Sequence, residues 1–528
     1  MRSWASIIRD DVSDRVRSGR REQRSGACEV KLRDLAQLLG GRVVAGPDVE
    51  VTRVVHDSRQ AAAGDLFVGM PGANVDGADH AGEAVQRGAA AVMAERPLDL
   101  PGAAGMLVVA DARWALGRSA SALLGNPSER MRVIGVTGTD GKTTTTRLIA
   151  GVLASAGRRV GWLTTVDMAV GDVISANPFG RTTPEASDLQ QALSQMVAGG
   201  VEDAVVEVSS HALALDRVAG CTFDAAVFTN LAPEHLDFHQ TMEAYADAKA
   251  RLFASLDSPT EKRWSRMGVV NADDPASVTM VGASPAAIVS YAVDAAADVR
   301  AERLELLRDR STFNLVTPVG GVSVVTPLRG RHNVYNFLAA AAVGLGWGID
   351  LETIAQAAEG AAPPPGRLQR VARGQPFEVI VDFAHTPQAL VATLATLRET
   401  TSGRLYLVFG MAGRRDARNR PVMGGLAARG ADFFVISTDD PMNEDPAQIA
   451  REVAAGARAA GATEGRGYAV ELDRRLAIRA VLDQARSGDT VLLAGKGHEA
   501  RMLIGDRSEP WSDVEVAKDL LSELGYRM

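Results

Sequence analysis

An apolar strand that runs unbroken into a glycine-rich loop, a lysine and a row of hydroxyls constrains this chain more than any other stretch. Residues 132–146 read Arg-Val-Ile-Gly-Val-Thr-Gly-Thr-Asp-Gly-Lys-Thr-Thr-Thr-Thr, and Leu148, Ile149, Val152 and Leu153 then recur at helical spacing. Backbone N–H groups of such a loop, together with a helix N-terminus, form a cradle for anions. Lys142 adds a point charge for terminal phosphates, and Thr143 is placed to hold Mg²⁺. The common phosphate-loop pattern needs glycine at 136, where this chain has Val136. With strand, loop and helix in register, the segment still predicts a nucleoside triphosphate site.

Length and composition narrow the setting. At 528 residues the chain is too long for one core, and about 150 residues per domain implies three or four units. A net charge of −8 and a pI near 5.6 argue against nucleic acid as the main partner, because phosphate neutralisation needs a basic face. Two cysteines, Cys28 and Cys221, cannot make a disulfide framework and point to a reducing, cytoplasmic home. No apolar run is long enough to span a membrane. Residues 1–28 carry seven arginines (Arg2, Arg9, Arg15, Arg17, Arg20, Arg21, Arg24) and no apolar core of a signal peptide. They read as a disordered basic tail, with the start codon a candidate for having been placed too early.

The rest divides into three α/β units. Residues 29–127 hold a small mixed unit, with a helix over 32–39, strands at 51–55, 66–68 and 90–94, and a helix near 83–86. Residues 128–362 alternate strands (133–136, 159–163, 203–208, 225–229, 267–271) with helices, the sign of a doubly wound parallel sheet. Residues 311–328 break the alternation and read as a hairpin attached to that unit. The cluster Ala361-Ala362-Pro363-Pro364-Pro365-Gly366 marks a linker. Residues 363–528 then alternate again, with strands at 378–381, 405–409, 433–436 and 490–493 and helices at 387–397 and 446–459. This last unit has a nucleotide-fold pattern without a phosphate loop of its own. Two sheet domains flanking a hinge predict a cleft that closes on its substrates.

Two further strand ends carry chemistry. Glu207 follows Ala204-Val205-Val206 and stands at the C-terminal end of a parallel strand, where open α/β sheets bind ligands. It is a candidate magnesium ligand. The next strand ends in Asn230-Leu231-Ala232-Pro233-Glu234-His235-Leu236-Asp237, in which His235 is a candidate for a second cation.

These residues resemble the Mur ligases, the ATP-dependent amide-forming enzymes of peptidoglycan synthesis. The resemblance is carried by 137–144, by Glu207-Val208-Ser209-Ser210-His211, by Asn230 with 234–237, and by Tyr245 to Lys249 followed by Leu252-Phe253. Gly330-Arg331-His332-Asn333 with Asn336, Pro365-Gly366-Arg367 and Asp382-Phe383-Ala384-His385-Thr386-Pro387 extend it. Within the family, Asp57-Ser58-Arg59, 64–68, Thr182-Thr183-Pro184 and Gly495-Lys496-Gly497-His498-Glu499 resemble the ligases that add the third residue of the peptide. The likeness implies a small-molecule acceptor, UDP-N-acetylmuramoyl-L-alanyl-D-glutamate, and an incoming diamino acid. It implies a monomeric enzyme with Lys142, Glu207, His235 and Lys249 as catalytic residues. ATP would lie on Thr137, Gly138, Thr139, Asp140, Gly141, Lys142, Thr143 and Thr144, with Asn333 and Asn336 at adenine and Arg367 and Asp382 at phosphate and ribose. Metal would be held by Thr143, Glu207, His235 and Lys249, the last carbamylated by CO₂ to N6-carboxylysine. A bare lysine there would repel the metal. The nucleotide sugar would meet His56, Ser58, Ala73, Asn74, Val75, Thr182, Thr183, Ser209 and Arg217. Arg181 and Leu215 depart from the residues usual in the family, Asn and Gln. His211 is a candidate base for the incoming amine.

For the amino acid, the resemblance points to Arg415 at its carboxylate, Glu499 at its distal ammonium, and Gly495 beside them. The stretch that reads Asp-Asn-Pro-Arg in diaminopimelate-using relatives is Asp439-Asp440-Pro441-Met442 here. Met442 offers no fork for a second carboxylate and Asp440 would repel one, so lysine or ornithine is expected over meso-diaminopimelate. Folylpolyglutamate synthetase shares the last two units but is disfavoured by the Asp57-Ser58-Arg59 unit. A non-catalytic nucleotide-binding regulator is disfavoured by intact Lys142, Glu207, His235 and Lys249.

Overall fold

The computed structural model describes residues 29–72, 75–414 and 417–527. The basic tail 1–28 and the site candidates Ala73, Asn74 and Arg415 lie outside the described residues. Three sheets organise the chain, each with helices packed on it.

The first sheet has five strands, four of them parallel, in a small unit whose core gathers Leu32, Leu35, Leu66, Val68 and Leu107. The strand expected over 51–55 is divided. Glu50–Val51 pairs with Val30–Lys31, while Arg53–Val55 pairs in parallel with Asp65–Val68. Thr52 makes the break, its N–H bonded to Gly64 O at 3.0 Å.

The second sheet has eleven strands. Its parallel centre sets Arg132–Thr137 between Asp203–Glu207 and Ala225–Phe228, so the phosphate-loop strand is innermost. Every residue of that strand is buried, which explains its unbroken apolar character. The hairpin read at 311–328 is not an appendage. Strands Ser311–Thr317 and Gly320–Thr326 continue the same sheet as its antiparallel edge through Val299–Leu306. A second antiparallel edge, Asp167–Val170 with Val173–Ala176, closes the opposite side and has no strong sequence signature.

The third sheet has six strands, parallel except at its first pairing. A separate two-stranded hairpin, Arg501–Ile504 with Arg507–Pro510, follows it. Among the described residues no helix is long and apolar enough to cross a membrane.

Candidate active site

The phosphate loop is built by glycines that no other residue could replace. Gly141 caps helix Lys142–Ser155 at φ 82°, and a Cβ there would meet Asn336 Oδ1 at 2.4 Å. Asp140 N–H donates to Asn230 Oδ1 (2.9 Å), so the neighbouring strand end holds the loop open. Lys142 Nζ donates to Gly138 O (3.1 Å) and Thr139 O (2.7 Å). Thr143 and Thr144 are buried behind it.

A cavity of about 550 Å³ opens from this loop toward the third unit. Its wall includes Asp140, Gly141, Thr143, Thr144, Asn333, Asn336, Arg367 and Asp382, so the structure brings most of the expected nucleotide residues together. Asn336 Nδ2 donates to Asn333 Oδ1 (3.1 Å), which sets both amides on one helical face. Asp382 is already engaged, accepting from Leu368 N (2.7 Å), Ala384 N (2.9 Å) and Thr393 Oγ1 (3.2 Å). Its first task is therefore to fold the cavity wall. Arg367 lies over the Phe383 ring at 4.6 Å. Thr137 and Thr139 sit deeper; Thr139 Oγ1 stands 3.2 Å from Tyr245 Oη.

Lys249 and Glu207 flank the loop. Lys249 is 1% exposed, its Nζ donating to Gly138 O at 2.8 Å and lying 4.2 Å from the Tyr245 ring centre. Burial, then the charge of Lys142, holds its ammonium well below the ordinary lysine range. Glu207 is fully buried, accepting from Thr165 Oγ1 (2.9 Å) and Thr165 N (3.3 Å). Among the described residues it has no ion-pair partner, and a buried carboxylate in that state calls for a cation. The donor set of Glu207, His235 and Thr143 suits magnesium or a similar hard ion.

His235 adopts φ 56° at the head of helix Leu236–His239, and its ring lies 4.6 Å from that of His211. Burial, reinforced by His235, pulls His211 down to about 4, so its imidazole is neutral at pH 7. That value is low for an efficient base. His239, overlooked in the sequence, donates to or accepts from Ser210 Oγ at 2.9 Å and stacks on Tyr245 at 5.0 Å. Glu234 reaches across to the third unit, 3.7 Å from His385 Nε2.

The acceptor candidates fall into two groups. Thr182, Thr183 and Ser209 gather beside Glu207: Thr183 Oγ1 donates to Glu207 O (2.9 Å), and Thr165 Oγ1 stands 3.0 Å from Thr182 Oγ1. Arg217 Nη2 pairs with Glu185 at 3.0 Å. In the first unit, His56 Nδ1 is 3.1 Å from Ser187 Oγ, Ser58 Oγ donates to Glu83 (3.0 Å), and Val75 is exposed.

The amino-acid candidates surround a residue the sequence reading gave no role. Lys496 is completely buried, with Nζ 2.6 Å from Glu499, 2.7 Å from Asp440 and 3.7 Å from Asp439. Those three carboxylates all lie within 4.8 Å of one another. Asp440 also accepts from Leu503 N at 2.9 Å. It is therefore anchored from two sides, and because three carboxylates share the single ammonium of Lys496 the cluster keeps a net negative charge. Gly495 is required here, because a Cβ would meet Asp439 Oδ2 at 2.5 Å. Met442 takes φ 52°, between Leu503 O and Gly505 N. The Lys496 signal lay in Gly-Lys-Gly-His-Glu, which also holds its partner Glu499, but its other two partners, Asp439 and Asp440, are more than fifty residues away.

Comparison with known proteins shows the family. The profile of the Mur ligase middle domain matches residues 136–344, that of the "Mur ligase, glutamate ligase domain" residues 366–497, and that of the "Mur ligase family, catalytic domain" residues 50–120. The chain is 44% identical over 493 residues to the UDP-N-acetylmuramoyl-L-alanyl-D-glutamate--2,6-diaminopimelate ligase of Geobacillus kaustophilus (strain HTA426), covering 93% of this chain and 99% of the relative. It is 43% identical to the UDP-N-acetylmuramyl-tripeptide synthetase of Roseiflexus sp. (strain RS-1), covering 90% and 96%. A solved UDP-N-acetylmuramoyl-L-alanyl-D-glutamate--2,6-diaminopimelate ligase superposes with a TM-score of 0.67 at 32% identity, covering 94% of this chain and all of the other.

Proposed function

Because the chain belongs to the Mur ligase family of acid–amino-acid ligases, we propose that it joins a diamino acid to the D-glutamyl carboxyl of UDP-N-acetylmuramoyl-L-alanyl-D-glutamate, using ATP, in peptidoglycan synthesis. One observation carries the chemistry: Lys142 and the buried Lys249 both donate to Gly138 O, with the buried Glu207 carboxylate on the adjacent strand. The units divide the work, with 29–127 for the nucleotide sugar, 128–362 for ATP and 363–528 for the amino acid.

In the first step a D-glutamyl carboxylate oxygen attacks the γ-phosphorus of ATP, and ADP leaves. Lys142, released from the loop carbonyls, and the backbone N–H groups of 138–143 hold the charge of the transferring group. Magnesium, held by Thr143, Glu207 and His235, would supply further charge stabilisation when bound. In the second step the amine nitrogen of the diamino acid attacks the acyl carbon, phosphate leaves, and the nitrogen loses its proton. The contact from Glu234 to His385 supports a closed cleft that keeps water from the acyl phosphate.

Carbamylation of Lys249 fits its environment. CO₂ adds only to an unprotonated amine, forming an N–C bond and releasing a proton, and burial favours that neutral amine. The product is an anion suited to a metal. Lys249→Ala should reduce phosphate release with dipeptide acceptor and diamine by about a hundredfold or more, with no recovery in bicarbonate. Full activity in that variant refutes the assignment.

For the incoming residue we favour lysine or ornithine. Met442 supports this, since its thioether cannot pair with a second carboxylate, while Asp439 and Glu499 beside Lys496 offer an acidic seat for a distal ammonium. The names of several relatives favour the second reading, 2,6-diaminopimelate. Side-by-side kinetics with the three amino acids decide between them; higher kcat/KM for meso-diaminopimelate refutes the first.

A further inference from the structure

One cation of the third unit reaches the acceptor side of the cleft. The hairpin 501–510 is tied to the amino-acid loop by Leu503 N to Asp440 Oδ1 (2.9 Å), Met442 N to Leu503 O (3.0 Å) and Gly505 N to Met442 O (2.7 Å). Its first residue, Arg501, crosses to the middle unit: a Cβ built on Gly180 would lie 3.9 Å from Arg501 Nη2. Gly180 is two residues before Thr182, whose hydroxyl is linked through Thr165 to Glu207. Among the described residues the Arg501 guanidinium has no hydrogen bond or ion pair, and the side chain is exposed.

Two arginines of the neighbourhood share one carboxylate oxygen. Arg181 Nη1 (2.8 Å) and Arg217 Nη2 (3.0 Å) share the single oxygen Glu185 Oε1. Arg217 Nε is buried with no partner. Asp188 adds a second carboxylate near Arg181, yet the buried, unpartnered Arg217 Nε leaves a donor for an anion that the ligand brings. The acceptor carries a suitable one. When one carboxyl of D-glutamate is set beside Glu207 for phosphorylation, the other is two methylenes and the α-carbon away.

We propose that Arg501, delivered over Gly180 by the hairpin of the third unit, pairs with the non-reacting α-carboxylate of the acceptor's D-glutamyl residue, opposite Arg181. The inference rests on the acceptor named under the proposed function. Arg501 is a specificity residue and takes no part in bond making.

The test compares UDP-N-acetylmuramoyl-L-alanyl-D-glutamate with the D-isoglutamine form, whose α-carboxyl is an uncharged amide and whose γ-carboxyl is free. Binding is read by calorimetry and turnover by amide formation, for the wild-type chain, Arg501→Ala, Arg501→Lys and the outer-strand control Arg507→Ala. The wild-type chain should bind the carboxylate form about ten- to a hundredfold more tightly than the amide form. Arg501→Ala should lose that preference with the amide form bound as before; Arg501→Lys should keep most of it, and Arg507→Ala all of it. Equal wild-type binding of the two acceptors, or equal losses on both in Arg501→Ala, overturns the pairing. Selective binding without ligation by the wild-type chain supports the pairing and overturns the proposed function instead.

Discussion

Replacing Lys496 by methionine tests the electrostatics of the third unit. The side chain is fully buried, and its ammonium meets Glu499 at 2.6 Å, Asp440 at 2.7 Å and Asp439 at 3.7 Å. Burial opposes the charge, but the three carboxylates outweigh it and raise the lysine above its ordinary value. A group raised in this way stabilises the fold fully below its unfolded value and loses that contribution only in strong alkali. Methionine keeps the volume and removes the charge, leaving three carboxylates crowded together. Two charge-assisted hydrogen bonds at about 1.5–3 kcal/mol each set the upper scale. Glu499 is a third exposed, so water screens its share, and the expected loss at pH 8 is about 3–4 kcal/mol. The pH dependence gives a second check. Burial raises the Glu499 carboxyl and Lys496 opposes that rise, so the variant pushes it higher still. A carboxyl whose folded value is raised binds its proton more readily in the folded state, so stability falls as pH rises through that window. The loss should therefore be smaller at pH 5 than at pH 8. Urea unfolding followed by circular dichroism at both pH values measures it. A loss below about 1 kcal/mol at pH 8, or one that grows on acidification, refutes the reasoning.

Asp203→Ala should cost about 3–5 kcal/mol in chemical denaturation, because it removes a buried carboxylate that pairs with both Arg132, at 2.7 Å, and Arg158. Arg158→Ala, which leaves the Arg132 pair in place, should cost clearly less. Gly366→Ala puts a Cβ 2.0 Å from His498 N at a φ of 66°, so the linker must lift from the Gly-Lys-Gly-His-Glu loop. Strain of about 1–3 kcal/mol there should lower ligation roughly tenfold or more with an unchanged circular dichroism spectrum.

Local features were legible without coordinates. The phosphate loop depends on residues adjacent in sequence, so 137–144 read directly as a strand, loop and helix. The helix Pro446–Ala459 and the strand Met267–Asn271 were equally plain, since periodicity and apolar runs are written within each element. Lys249 was different: only the family resemblance singled it out, and the packing of Met242–Ala254 against the loop is what buries it. The hairpin at 167–176 was missed because an edge strand is defined by its neighbour in space.

What sequence alone determined is the order of the chemical groups and the family they belong to: a phosphate cradle, acidic strand ends and an acidic–basic stretch after the linker. Tertiary structure decided their charge states and company. Lys496 pairs with Asp440 from fifty-six residues away, and Arg501 reaches Gly180 from another unit. The reason is physical: pKa shifts and ion pairing depend on burial and on distances of a few ångströms, which spacing along a chain does not encode.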